Sequence, residues 1–191
     1  MNLFIDDLES TDFIDVKNTL YNIIKERVWI KSDKPFKLAS GVTSSDYFNM
    51  KNLGLDGLAL AAAGLLKMIQ KTGVASVGGL ESGAIPLSVA VSCMTLAQNN
   101  TPPLEWFYVR KASKGHGTGS TIEGRPKPPV IIMDDVITSG GSSLQAIHAI
   151  KNQNIDYVGA VCVLFRGDAE HRILLEKEGS FQHIFSHSDF K

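Results

Sequence analysis

Two adjacent acids, Asp134 and Asp135, follow a short apolar run and precede a turn of small polar residues. The run, residues 130–133, is typical of a strand buried on both faces of a parallel sheet. Open α/β sheets bind ligands at the carboxyl edge of such strands. The turn, residues 138–142, offers hydroxyls, backbone N–H groups and the start of a helix, which suit a phosphate. Carboxylates beside a phosphate cradle predict a ribose-phosphate ligand, and an acidic strand end before an ordinary capped helix is the alternative.

A second group of residues that could do chemistry lies in the connection 110–129, which is rich in glycine and proline and has no apolar period. Long connections of this kind in compact domains are usually lids or binding loops. Cations on a lid can clamp a pyrophosphate and exclude water from a reacting centre. A disordered linker is the alternative interpretation. The candidate pyrophosphate contacts are Arg110, Lys111, Lys114 and His116.

The elements that position these residues alternate between strands and helices. Strands are predicted at 74–78, 106–109, 130–133, 158–165 and 183–185, and helices at 12–29, 56–70, 83–96, 142–152 and 170–178. Such alternation implies βαβ units. The predicted fold is therefore α/β, a doubly wound and mainly parallel five-stranded sheet flanked by helices.

The first part of the chain lies outside this alternation. Its helix is followed by a polar stretch, residues 34–50, that reads as irregular or hairpin structure. We expect a small N-terminal helix and hood in residues 1–55 and an α/β core in residues 56–191 with a lid loop at 110–129. A chain of 191 residues fits one domain of this size.

Composition narrows the function classes. Hydrophobic residues make up 43% of the chain, and the net charge of −1 predicts no general attraction to nucleic acid or to a membrane. No apolar run approaches the roughly 18 residues of a membrane span, and no leader opens the chain, so we expect a cytoplasmic protein. Cys93 and Cys162 are expected to be buried free thiols.

Several segments together resemble one family, the orotate phosphoribosyltransferases, which are type I phosphoribosyltransferases. Residues 134–142 resemble the motif that binds 5-phosphoribosyl-1-pyrophosphate (PRPP), and residues 110–119 resemble the family's catalytic loop. Residues 36–50 are similar to its hood, where paired aromatics sit against the orotate ring, and residues 80–86 are similar to the loop that faces pyrophosphate. The likeness covers nearly the whole chain.

This resemblance implies an enzyme, a glycosyltransferase of the pentosyltransferase class. Orotate and PRPP would give orotidine 5′-monophosphate and pyrophosphate in pyrimidine biosynthesis, with Mg²⁺ carried mainly by PRPP and water. It also implies a homodimer whose lid loop is shared across the interface. The candidate catalytic residues are Lys114, His116, Asp134 and Asp135. The candidate PRPP contacts are Arg110, Lys111, Lys114, His116, Asp134, Asp135, Val136, Ile137, Thr138, Ser139, Gly140, Gly141 and Ser142.

The same resemblance assigns the base. Thr138 and Arg166 are candidates for the polar edge and carboxylate of orotate, because an arginine fork can donate two parallel hydrogen bonds to a carboxylate. Tyr47 and Phe48 are candidates for contact with the ring, and two plain core aromatics are the alternative.

Four positions depart from the family pattern. Ala112 replaces an acid, Val42 follows Ser-Gly where a polar residue is commoner, Gly83 stands where some members carry a lysine, and Phe165 precedes Arg166 where Asp is usual. None of these changes removes the acid pair or the phosphate turn. Two other functions stay open at this stage: a phosphoribosyltransferase for another base, and a PRPP-sensing regulator without turnover.

Overall fold

The computed structural model describes residues 13–37, 43–97, 102–111 and 121–191. Its helices are α1 Phe13–Ile23, α2 Gly54–Ile69, α3 Ala84–Ala97, α4 Gly141–Asn152 and α5 Ala169–Glu178. Its strands are β1 Trp29–Lys37, β2 Thr43–Phe48, β3 Ser76–Leu80, β4 Glu105–Val109, β5 Ile122–Gly124, β6 Val130–Ile137, β7 Tyr157–Phe165 and β8 Ser180–Ser186. A π-helical turn, Ile24–Val28, extends α1, and short 3-10 turns lie at Met50–Asn52 and His187–Phe190.

The core sheet has the strand order β5-β4-β3-β6-β7-β8. Five strands run parallel to one another, in the order β4, β3, β6, β7 and β8. The edge strand β5 is antiparallel to β4. The predicted α/β class with a mainly parallel sheet flanked by helices is confirmed, and the expected count of five strands is corrected to six. The additional strand, β5, has three residues and is held by its pairing with β4, so no apolar period reveals it.

The chain order of the strands reverses between β3 and β6. From β3 the chain proceeds to β4 and β5 on one side, and from β6 it proceeds to β7 and β8 on the other. A crevice at such a switch point is the usual ligand site of a doubly wound sheet. Strand β6 continues beyond its apolar residues, because its pairing with β7 extends to Ile137. Its pairing with β3, on the other side, ends at Ile132. The residues between those two points on β6 therefore border the crevice.

Each face of the core sheet is covered. One face packs against α1, α2 and α3, where Ile131, Met133 and Val161 are buried, and the other packs against α4 and α5, where Val130 and Ile132 are buried. Burying an aliphatic side chain of this size contributes about 1.5–3 kcal/mol. The buried central strands explain the continuous apolar runs in the sequence. Within the part of the chain that the structure describes, no helix is both long and apolar enough to cross a membrane.

Strands β1 and β2 form a separate antiparallel sheet, which lies in the segment predicted to be the hood and which we call the hood. Its register pairs Trp29 with Phe48, and their rings stack with centroids 6.0 Å apart. Phe190, in the 3-10 turn after β8, packs edge-on against the Phe48 ring and is 2% exposed. The 3-10 turn after β8 therefore packs against the hood and helps to hold it on the core. Of the two structures predicted for residues 34–50, irregular or hairpin, the antiparallel pairing of β1 with β2 matches the hairpin, although β1 begins earlier, at Trp29.

The two cysteines differ from one another. Cys162 is buried in β7, as expected, whereas Cys93 is exposed on α3, which corrects the expectation that both thiols are buried. Helix α3 is apolar nearly all round, so its sequence does not show which side faces solvent.

Candidate active site

The acid pair lies on β6 beyond the last residue that pairs with β3. Asp134 is 8% exposed, and Asp135 is half-buried. Asp134 Oδ1 accepts a 3.0 Å hydrogen bond from the backbone N–H of Asp135, and Asp135 Oδ1 accepts one of 2.7 Å from that of Val136. These bonds fix both carboxylates at the edge of the crevice between β3 and β6.

The electrostatics of the pair favour a bound cation or hydroxyl donors. Burial, and after it the charge of Asp135, raise the pKa of Asp134 well above its usual value. The positive charge of Lys111 acts in the opposite direction on the same carboxyl group. Two acids held together at a buried edge form a site that ligand hydroxyls or a divalent cation would stabilise.

The turn after β6 forms a cavity of about 200 Å³, lined by Asp134, Val136, Ile137, Thr138, Ser139, Gly140, Gly141, Ser142 and Ser143. Gly140 has a φ of +81°, a left-handed conformation that glycine adopts without strain. This turn aims the start of α4 into the cavity, and no side chain caps that helix. Unfilled N–H groups at a helix N-terminus bind anions, so the cavity suits a phosphate.

The two predicted cations nearest β4 lie at the base of the proposed lid. The backbone N–H of Arg110 donates a 2.8 Å hydrogen bond to the Thr121 carbonyl, and its guanidinium lies 3.5 Å from Glu123 Oε1. The backbone N–H of Lys111 donates a 2.8 Å bond to Glu81 Oε1, and Gln145 Nε2 donates a 3.0 Å bond to the Lys111 carbonyl. The base of the connection is thus tied to the loop after β3 and to α4.

The remainder of the predicted lid divides into two parts. Lys114 and His116 lie outside the described residues. Residues 121–129 are described and include β5, so this part of the connection 110–129 is not the structureless segment that its composition suggested. The base of the loop closes at Arg110 and Thr121.

The candidate base contacts converge on the end of β6. The backbone N–H of Arg166 donates a 2.8 Å hydrogen bond to the Ile137 carbonyl, which places it beside Thr138. A Cβ at Gly167 would lie 2.5 Å from the Thr138 carbonyl oxygen, so the two loops approach closely there. The Arg166 guanidinium lies over the Phe48 ring at 5.0 Å.

The two aromatics differ in exposure. Tyr47 is 40% exposed, with its ring centroid 5.6 Å from that of Phe36. Phe48 is 5% exposed and packs among Trp29, His187 and Phe190, so its ring is part of the hood core. Contact of either ring with a base stays a prediction. Tyr47 has more exposed surface for such a contact than Phe48.

Known proteins of similar sequence decide the family. No protein-family model matches the chain. The orotate phosphoribosyltransferase of Leptospira biflexa is 36% identical over 182 residues, covering 91% of this chain and 97% of that protein. The chain belongs to the orotate phosphoribosyltransferase family. A relative from Aquifex aeolicus, also an orotate phosphoribosyltransferase, is 33% identical and is covered over 90% of its length by 85% of this chain.

Solved structures agree with this family. A crystal structure of the Mycobacterium tuberculosis orotate phosphoribosyltransferase aligns with a TM-score of 0.74 at 25% identity, over 92% of this chain and 98% of that one. A structure of the orotate phosphoribosyltransferase from the same organism in complex with PRPP aligns with a TM-score of 0.71 at 19% identity, which shows the fold alone.

Two departures from the orotate phosphoribosyltransferase pattern have a structural context. A Cβ at Gly83 would lie 2.8 Å from Asp135 Oδ1, so the observed Asp135 conformation leaves no room for a lysine there. Phe165 is 6% exposed and packs edge-on against Phe181, so its side chain belongs to the core on the far side of the sheet. Val42 and Ala112 lie outside the described residues.

The sequence did not predict two contacts that hold candidate site residues of this orotate phosphoribosyltransferase, one to Lys111 and one to Arg166. Glu81 lay within a recognised loop, but nothing in its type indicated that its carboxylate binds the Lys111 N–H. Ser44 accepts a 3.2 Å hydrogen bond from Arg166 Nη2, and the two residues are 122 positions apart. Local spacing carries no signal for contacts of that separation.

Proposed function

We propose that this chain transfers the 5-phosphoribosyl group from PRPP to orotate, giving orotidine 5′-monophosphate and pyrophosphate. Its membership of the orotate phosphoribosyltransferase family carries the proposal. The geometry supports it, because an acid pair and a phosphate-sized cavity share one crevice at the switch point of the sheet.

The 5′-phosphate of PRPP would bind in the turn after β6. Backbone N–H groups and hydroxyls from Thr138 to Ser142 and the N-terminus of α4 surround the cavity there. Asp134 and Asp135 would then face the ribose and accept hydrogen bonds from its hydroxyls. Substitution at the ribose C1 develops oxocarbenium character, and nearby carboxylates stabilise that positive charge.

We place the Mg²⁺ of this reaction at the same edge. Across residues 13–37, 43–97, 102–111 and 121–191, no three His, Cys, Asp or Glu side chains come together as a metal site. Mg²⁺ usually binds through one or two carboxylates plus substrate phosphates and water, and the paired acids fit that mode. Asp134 and Asp135 would hold the ion, directly or through water, and when bound it neutralises charge on the departing pyrophosphate.

The pyrophosphate would be held by the loop that begins at Arg110. Lys111 is tied to the loop after β3, and Arg110 lies beside Glu123 at the base of the same connection. We assign Lys114 and His116 to the same role, with Lys114 stabilising the transition state. Arg110 Nε is buried without a hydrogen-bond partner among the described residues, which leaves a donor available. Cations around a highly charged leaving group lower the barrier to its departure.

Orotate would bind between Thr138 and Arg166, under the hood. The loops that carry these two residues approach closely at the end of β6, where the backbone N–H of Arg166 donates a hydrogen bond to the Ile137 carbonyl. A guanidinium matches the geometry of the orotate carboxylate. Exposed Tyr47 would lie nearest the orotate ring, and the Phe48 ring would pack against the Arg166 guanidinium.

We also propose a homodimer in which the loop of one chain completes the site of the other. Trp106 is 39% exposed and stacks on Tyr108, and Leu96 on α3 is 71% exposed. Strand β4, which carries the two aromatics, leads through Arg110 into Lys111, so a second copy seated on this apolar surface would lie next to the loop.

Mixing Lys114→Ala chains with Asp135→Asn chains should restore activity through dimers that hold one intact site. Two inactive parents that give an inactive mixture would contradict a shared site.

The deciding experiment compares bases. The enzyme should consume PRPP in the presence of orotate and Mg²⁺ and release one pyrophosphate per orotidine 5′-monophosphate. Adenine, guanine, hypoxanthine and uracil should support little or no turnover. If a purine were active and orotate inert, the assignment of the base would be wrong. If PRPP bound with no turnover for any base, the chain would be a PRPP sensor.

A further inference from the structure

We propose that Ser44 in the hood is a positioning residue, which aims Arg166 at the carboxylate of the base and so makes the enzyme selective for bases that carry one. This inference rests on the proposed function, in which Arg166 binds the orotate carboxylate. Strand β2 contacts Arg166 from above the core and sets the direction of its guanidinium.

The contacts between β2 and Arg166 come from one face of that strand. Burial alternates along β2, and Ser44, Asp46 and Phe48 are its more buried positions. Arg166 Nη2 donates to Ser44 Oγ and to the Asp46 carbonyl, each at 3.2 Å. The Phe48 ring lies beneath the guanidinium at 5.0 Å. Two acceptors and one ring face together define both the direction and the plane of the fork.

These contacts use Nη2 and leave Nη1 available. Among the described residues, no hydrogen-bond partner is found for Nη1 or for Nε of Arg166, and Nε is buried. An arginine has five N–H donors in a rigid fork, so fixing one corner fixes the others. With respect to the described residues, the Nη1 corner is therefore the part of the fork that can donate to a ligand.

The charge around Arg166 points to an anionic ligand. The groups that the structure places in direct contact with its guanidinium are a hydroxyl, a peptide carbonyl and an aromatic ring. The negative charge of Asp46 also acts on Arg166, but burial outweighs it and lowers the pKa of the guanidinium. The Asp46 carboxylate is directed elsewhere, to Trp29 Nε1 at 3.1 Å and His187 Nε2 at 3.4 Å. A half-buried cation with no carboxylate in direct contact among the described residues gains from an incoming carboxylate.

The chain's own sequence explains why the hood supplies this support. Phe165, which precedes Arg166, points into the opposite core and offers no acceptor. Among the described residues, the other hydrogen bond found for Arg166 is from its backbone N–H to the Ile137 carbonyl. A long side chain without lateral support loses rotamer freedom on binding, and that ordering weakens affinity.

A double-mutant cycle tests the inference. We would measure kcat/KM for orotate at saturating PRPP in the parent, Ser44→Ala, Arg166→Ala and the double variant. Ser44→Ala should lower kcat/KM about tenfold, through a higher KM for orotate, because a hydrogen bond to a charged group is lost. The KM for PRPP should stay unchanged. In the Arg166→Ala background, Ser44→Ala should have no further effect, since its role is exerted through Arg166.

Two further variants separate positioning from a general structural effect. Ser44→Thr keeps the hydroxyl on a strand and should retain most of the activity. Ser45→Ala is the matched control, because Ser45 is the exposed neighbour on the same strand and should behave as the parent. An equal loss in Ser45→Ala, or a tenfold loss from Ser44→Ala that persists without Arg166, would overturn the positioning role.

The same experiment distinguishes failure of the proposed function. If the parent did not use orotate, the function itself would be wrong, and this inference would fall with it. If the parent used orotate and Arg166→Ala were as active as the parent, the function would stand and the carboxylate role of Arg166 and Ser44 would be refuted. Uracil, which lacks the carboxylate, should be used equally poorly by the parent and by Ser44→Ala.

Discussion

The backbone N–H of Lys111 donates a 2.8 Å hydrogen bond to the carboxylate of Glu81, which joins the base of the predicted lid loop to the loop that follows β3. Glu81 is held in turn by its own N–H, which donates to the Val109 carbonyl at 2.8 Å. A bond to the main chain of Lys111 fixes where the loop leaves the sheet without using its side chain.

We therefore expect Glu81→Ala to lower kcat about tenfold, because a hydrogen bond to a charged acceptor contributes about 1.5–3 kcal/mol. Glu81→Gln keeps an acceptor oxygen and should retain most of the activity. Steady-state kinetics with both substrates would measure the change. Glu105→Ala is the matched control, since Glu105 pairs with exposed Lys127 on the same sheet and should have little effect. Equal activity in Glu81→Ala and the parent would show that the tie is dispensable.

Gly83 gives a prediction about crowding. Because an added Cβ would meet the Asp135 carboxylate at 2.8 Å, Gly83→Ala should displace that side chain and raise the KM for PRPP several-fold. The free energy of unfolding should fall by about 1 kcal/mol. Denaturant unfolding of Gly83→Ala in the parent and in an Asp135→Ala background would check this. The destabilisation should vanish when the carboxylate is absent, and a loss of equal size in both would assign it to another contact.

Asp134 gives a prediction about pH. Its pKa is raised in the folded state, chiefly by burial, so its contribution to stability is complete below the unfolded value near 3.8 and is lost as the pH rises through the folded value. At neutral pH its ionisation therefore opposes folding. Asp134→Asn should raise the free energy of unfolding at pH 7, with a smaller gain near pH 4, while abolishing activity.

Unfolding by urea at both pH values would measure this difference. Asp156→Asn, at an exposed position before β7, provides the control and should show little change at either pH. A gain in Asp134→Asn that was equal at pH 4 and pH 7 would contradict the ionisation argument.

Phe190 gives a prediction about the attachment of the hood. Its buried ring stacks on Tyr21 at 5.0 Å and meets Phe48 edge-on at 5.3 Å. Phe190→Ala should reduce the free energy of unfolding by about 3–5 kcal/mol, the usual range for a buried phenylalanine. Thermal or denaturant unfolding would measure it, beside Leu55→Ala, whose side chain is 84% exposed. Equal stability of the two variants would show that the hood does not depend on this ring.

Local patterns predict the central part of the molecule well. Strand β6, its acids and the phosphate turn follow one another along the chain, and each has a signal within a few residues: apolar continuity, adjacent carboxylates, glycine and hydroxyls. The predicted strand ended near Met133 because periodicity records only burial on both faces. Pairing with β7 continues the strand through the acids to Ile137.

Features that depend on distant partners could not be read in this way. Strand β5 exists because Phe107 and Val109 pair with it, and its three residues have no pattern of their own. Arg166 was identified through the family resemblance, but its contacts with Ser44 and Phe48 depend on how the hood folds over the core. Two adjacent aromatics also share one sequence signal, although Tyr47 is exposed and Phe48 is buried.

The seam between the two halves of the core sheet has a consequence for motion. Strand β3 and strand β6 are registered only from Ser76–Val130 to Gly78–Ile132, and the ladder stops before the acids. A ligand that contacts both the loop at Glu81 and the phosphate turn would connect the two halves of the sheet and hold them together. Separation of the two strands in the free protein should then slow when a ligand is bound, and amide hydrogen exchange in the paired residues 76–78 and 130–132 would report it.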